Sequence, residues 1–147
     1  MAESNDAVRY DNYQSIFNES FERVLGIDSD KDHFFDLFYE IFIDSSEKVA
    51  AKFENTDMER QKVVVRSSLY HMMHFYAAKE SSEYMDQLAE SHGKSAKNIE
   101  PELYDLWLEA MIETLKECDP QYGRKVELAW RVVLAPGIAF MRFHYDI

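Results

Sequence analysis

The chain has 147 residues, about one domain's worth, and its 46% hydrophobic and 14% aromatic content excludes disorder and leaves material for a core. Twenty-eight acidic against sixteen basic residues give a net charge of −12, a field that repels nucleic-acid phosphates and anionic lipid head groups. Four Gly and three Pro mean few turns and long elements, and a lone Cys118 excludes a disulfide framework or a CxxC metal or redox site. Residues 1–6 have neither the basic start nor the apolar run of a signal peptide, and no apolar stretch approaches a membrane span. A cytoplasmic protein with no membrane partner is therefore expected.

In chain order, residues 1–9 are expected to form a flexible extension, followed by a single domain over residues 10–147. Over residues 12–25, Tyr13, Phe17, Phe21, Val24 and Leu25 recur at steps of three and four, the spacing of one helix face, and Gly26 ends the run. Residues 30–43 repeat the pattern with Phe34, Phe35, Phe38, Tyr39, Phe42 and Ile43, and a short helix follows through Val49 and Phe53. A long helix over 57–78, capped by Thr56 or Asp57, carries Val65, Leu69, Met72, Met73 and Tyr76. Ser81-Ser82-Glu83 caps a shorter one presenting Met85, Leu88, Ala89 and His92, which Gly93 closes in the manner of a C-terminal glycine. Pro101 opens the next helix, with Tyr104, Trp107, Leu108, Met111, Ile112 and Leu115, and Asp119-Pro120 opens the last. That helix runs to about Tyr145 through Val126, Trp130, Val133 and Ile138, with Pro136-Gly137 expected to kink it. No period-two strand is visible, so the fold class is all-α with about seven helices.

Chemistry centres on His92. Taken alone, a histidine ending an apolar face reads more readily as a packed or solvated residue than as a ligand. Thirty-one residues before it stands Gln61, four before Val65 and hence on the same face; Tyr39 precedes the corner residue Phe53 by fourteen. His71 and His74, three apart, have no evident third ligand, and His33 and His144 read as solvated helix-end residues.

In this order and spacing the chain resembles the globin family, specifically bacterial globins of the flavohaemoglobin and single-domain type, over about residues 10–145. The resemblance rests on Phe38-Tyr39 with Phe53, Gln61 with Val65, Leu88-Ala89-x-x-His92, Ile99-x-Pro101-Glu102-x-Tyr104 and Ala129-Trp130. It implies a globin fold, a three-over-three helical sandwich around haem b, with His92 as proximal iron ligand, its second ring nitrogen bonded to the Leu88 or Ala89 carbonyl. Phe53, Val65, Leu88, Ile99, Leu108 and Phe42 would contact the haem, and Lys94 and Lys97 would pair with its propionates. Tyr39 and Gln61 would face the gas ligand, where a phenol O–H and an amide N–H favour O₂ over uncharged CO. Tyr104 matches a tyrosine beside the proximal histidine. Aligning on Trp130 brings Tyr145 to the place of the flavohaemoglobin glutamate, so a strong proximal electron push does not carry over.

The function this implies is reversible binding of O₂, with NO and CO as further ligands, by a binding protein rather than an enzyme, present as a monomer or homodimer. Flavohaemoglobins continue into a flavin reductase domain where this sequence stops at Ile147, so any redox turnover would need a separate reductase. The alternatives are an NO dioxygenase served by such a reductase, a gas sensor acting on another chain, and a haem-free globin-like interaction domain.

Overall fold

A computed structural model describes residues 2–147, with side chains described from residue 12 onward. It contains seven helices: α1 (Ala2–Leu25), α2 (Lys31–Asp44), α3 (Glu47–Phe53), α4 (Met58–Ala78), α5 (Glu83–His92), α6 (Leu103–Cys118) and α7 (Arg124–Phe143). No strand occurs among the described residues. Met1 and the side chains of residues 2–11 lie outside what is described, and so does the expectation of a flexible extension. No helix is long and apolar enough to cross a membrane.

The local rules that start helices are visible in side-chain contacts. Asp57 Oδ1 accepts the Glu59 and Arg60 amides at 3.1 and 3.3 Å, making it, not Thr56, the cap of α4. Ser82 Oγ accepts the Met85 amide at 3.1 Å and starts α5. Asp30 and Ser46 do the same for α2 and α3.

The helices pack in two layers, α1, α4 and α5 against α2, α6 and α7. Between layers α1 and α4 lie on α7, and within a layer α2 lies on α6. Each seam has an aromatic or a small residue at its centre. Phe17 of α1 meets Trp130 of α7 with ring centroids 4.6 Å apart, and Phe38 of α2 meets Trp107 of α6 edge-on at 6.0 Å. On the α4–α7 seam Gly137 lets the backbone come close: a Cβ there would stand 2.9 Å from both Cγ and Cε of Met72. Helix α7 is continuous through Pro136, and Gly137 serves this close approach.

One expected boundary moves for a physical reason. Asp119-Pro120 does not begin the last helix. Asp119 is 3% exposed, and its carboxylate accepts Ser20 Oγ at 2.6 Å, a two-point grip from Arg23 at 2.8 and 2.9 Å, and the Gln121 amide at 2.9 Å. With Tyr122 N–H on the Asp119 carbonyl, the segment is a turn, and α7 waits until Gly123, which is fully extended. Gly93 closes α5 as expected, with φ −65° and ψ 166° and its N–H on the Glu90 carbonyl. The left-handed helix end belongs to Lys79, after α4. A Cβ on Gly93 would stand 3.3 Å from the Glu90 carbonyl oxygen and 3.4 Å from that of Tyr145.

Candidate functional site

Helix α5 sets the site. Its buried residues Met85 and Ala89 lie on the same stripe as His92, so burying them turns the imidazole inward. His92 Nδ1 lies 2.9 Å from the Leu88 carbonyl oxygen and 3.1 Å from Ser91 Oγ, whose own hydroxyl donates to Leu88 at 2.9 Å. Because a carbonyl only accepts, Nδ1 carries the proton and Nε2 keeps its lone pair. Among the described residues Nε2 has no hydrogen-bond partner. Burial, and then the nearby Lys97 charge, push the ring's pKa down to about 4, against a smaller opposing effect of the Leu88 bond, so the imidazole is neutral at neutral pH.

His92 lines a cavity of about 360 Å³ to which α2, α3, α4, α6 and α7 also contribute. Tyr39, Phe42, Phe53, Gln61, Val65, Leu88, Ile99, Tyr104 and Lys97, all named from the sequence, line it too. Tyr39 is 5% exposed, wedged edge-on between Phe38 and Phe53, and its hydroxyl has only a 3.5 Å contact with the Gln61 carbonyl. That distance is at the outer edge of a hydrogen bond. Burial raises the ionisation of Tyr39 well above the ordinary phenol range, outweighing the lowering effect of the Gln61 side chain beside it, so the hydroxyl keeps its proton throughout the physiological range. The cavity wall therefore carries a phenol O–H and an amide N–H next to each other.

Tyr104 also reaches the cavity, without a hydrogen-bond partner for its hydroxyl; burial alone raises its ionisation above the ordinary range. Two residues named from the sequence lie outside the lining. One is Leu108: on α6 the lining runs through Leu103, Tyr104 and Trp107. Lys94 is also outside it, exposed, with its backbone amide on the Tyr145 carbonyl at 2.7 Å. Tyr145 itself stands away from the cavity, its hydroxyl 2.5 Å from Asn98 Oδ1.

Other lining residues carried no signal that sequence reasoning used. Lys52 sits beside Phe53, and that adjacency to the corner aromatic was the available clue. Ser68, Met72, Ile138 and Met141 come from positions that read simply as core or helix surface. Two of the remaining histidines, His71 and His144, are engaged elsewhere. His71 Nδ1 lies 3.0 Å from Ser82 Oγ with its ring stacked on Tyr84 at 4.2 Å, and His144, expected to be solvated, packs on Phe140 at 4.2 Å.

The site is therefore a largely apolar cavity with one neutral imidazole whose Nε2 is free among the described residues, two neighbouring neutral donors, and two lysines. No family model and no curated protein matches the sequence. Among solved structures, the crystal structure of PA3967 from Pseudomonas aeruginosa PAO1, a protein described as structurally highly homologous to a human hemoglobin, aligns with a TM-score of 0.80. The two chains are 34% identical over 92% of this one and 99% of that one. Identity at that level across nearly the whole partner, with six of the seven helices layered three against three and no strand among the described residues, means that this chain belongs to the globin family.

Proposed function

We propose that this globin binds haem b and uses it to bind O₂ reversibly, with NO and CO as further ligands. The observation that carries the proposal is His92: a half-buried, neutral imidazole with Nδ1 held by Leu88 and Nε2 free on the wall of an apolar cavity. The residues fit the group. A haem needs a dry, mostly apolar slot, one nitrogen donor and cations for its carboxylates, and Phe42, Phe53, Val65, Leu88 and Ile99 supply the wall with Lys97 at the rim. When bound, haem supplies the iron centre that takes the gas.

The chain's own residues do the rest. The Leu88 carbonyl and Ser91 hydroxyl fix the tautomer and orientation of His92, the role that outer partners of a metal-bound histidine perform. Tyr39 and Gln61 offer an O–H and an N–H to a gas ligand that draws electron density. Such donors stabilise polar O₂ more than CO because they are preoriented where water does not screen them. Two such bonds of roughly 1 kcal/mol each correspond to about thirtyfold in affinity.

Titration with haemin should give one-to-one binding with a sharp Soret band, and the reduced protein should form reversible O₂ and CO complexes. A colourless protein that ignores haemin would end the proposal. Tyr39→Phe should release O₂ about fivefold to tenfold faster while CO release changes little, measured by stopped-flow ligand replacement. Equal effects on both gases would remove Tyr39 from the ligand site.

A further inference from the structure

The segment between α5 and α6, residues 93–102, passes along the rim of the cavity, with Lys97 and Ile99 in the lining; α3 faces it with Lys52 and Phe53. The segment is rolled back on the end of α5. The Lys97 amide bonds the Ser91 carbonyl at 3.1 Å, Asn98 bonds Gly93 at 2.9 Å, and Ile99 bonds His92 at 3.0 Å. At the apex Asn98 sits in the left-handed region at φ 54°, which asparagine adopts more readily than other side-chain-bearing residues, and two contacts hold it. One hold is the C-terminal tail, through Tyr145 Oη on Asn98 Oδ1 at 2.5 Å and the Lys94 amide on the Tyr145 carbonyl at 2.7 Å.

The other hold is Lys52. Its Nζ donates to the Asn98 carbonyl at 2.6 Å and pairs with Glu100 Oε1 at 2.8 Å. These side chains are 23% and 20% exposed, so solvent screens the pair far less than its neighbour Lys48–Glu102, at 3.3 Å with both ends 60% exposed or more. Lys52 is thus a cation already satisfied inside the protein. Lys97, exposed and without an ion-pair partner among the described residues, is the cation left at the rim.

We infer that residues 93–102 form a strap latched to α3 by Lys52 and Glu100, and that this latch, not a direct contact of Lys52 with the bound group, retains the prosthetic group in the cavity. The inference rests on the haem reading above. Opening the latch frees the Asn98 apex from one of its two holds, and the strap carries Ile99 and Lys97 away from the cavity as it lifts.

The test is the rate at which the haem-loaded protein surrenders haem to an excess of an avid apo-globin acceptor. Lys52→Met and Glu100→Gln should each speed the loss about fivefold, and the double variant should be no faster than either single one. Loss from the wild type should quicken with ionic strength, and loss from Glu100→Gln should not. If only Lys52→Met accelerates, or Glu100→Gln slows the loss, Lys52 acts on the haem carboxylates directly and the latch is overturned. A readout without haem is amide exchange of residues 94–99 in the haem-free chain, which should quicken in Glu100→Gln and stay put in Lys48→Ala. Failure to take up haem would defeat the functional proposal alone, because the exchange measurement still reads the latch; unchanged exchange in Glu100→Gln would defeat the latch.

Discussion

Replacing His92 with alanine should abolish stoichiometric haem uptake, weakening it by about a hundredfold or more, since partners one step removed from a metal already carry tenfold to a hundredfold. The change deletes the free Nε2 and leaves the Leu88 carbonyl without its imidazole donor, while the apolar walls and the Tyr39 and Gln61 donors stay in place. Whatever haem enters would sit by hydrophobic contact in more than one pose, with a broadened Soret band. Imidazole added to the solution is small enough for the vacated volume and should restore part of the binding, because it returns a neutral nitrogen to the same wall. Haemin titration followed by absorption spectroscopy makes the comparison. A His92→Ala protein with wild-type stoichiometry and spectrum would show that iron ligation lies elsewhere.

Asp119→Ala should cost about 3 kcal/mol of folding stability, the lower end for breaking a buried charge pair by removing one partner. At this chain length that is a drop of about 10 °C in melting temperature. The cost is large because four donors converge on one carboxylate: Ser20, both Arg23 nitrogens and the Gln121 amide. Ser20 Oγ in turn accepts the Trp130 indole N–H at 2.9 Å, so the network ties α1 to the α6–α7 turn and to the centre of α7. Burial by itself would raise the Asp119 pKa, but the Arg23 bond, with Ser20, Gln121 and the Arg23 charge, outweighs it and holds the value below the ordinary aspartate range. The sign follows. This stabilisation is complete above the pKa of an unfolded-chain aspartate, about 4, and is lost as the pH falls through the lower folded value. Thermal melts of the two proteins across that range should converge on acidification. A neutral-pH loss below about 1 kcal/mol would mean the network is decorative.

How far each feature could be read from the residues depends on how local its cause is. Helix starts at Asp57 and Ser82 were legible because a capping side chain acts on amides two or three residues away. The cavity-facing stripe of His92 with Met85 and Ala89 was legible because 3.6-residue periodicity needs nothing beyond the helix itself. Trp107 against Leu108 was not: both are apolar neighbours on α6, and only the rotation of α6 against Phe38 of α2 selects the tryptophan. Lys94 and Lys97 were placed together by proximity to His92 in sequence. The chain's recoil over the end of α5 then separated them, Lys97 into the lining and Lys94 outside it.

From the sequence by itself came the all-α class and the order and approximate ends of the helices, which depend on periodicity and capping, properties of short stretches of chain. That Tyr39, Phe53, Gln61 and His92 belong to one site was implied by the resemblance to globins. Tertiary structure alone decided that Asp119 is a buried anchor rather than a helix start, since its partners Ser20 and Arg23 lie almost a hundred residues away in sequence. It also decided that Gly137 serves a close approach to Met72, and that Lys52 is spent on Glu100 and Asn98. Each is a contact between segments that no local rule couples, and its energy exists only once the helices have docked.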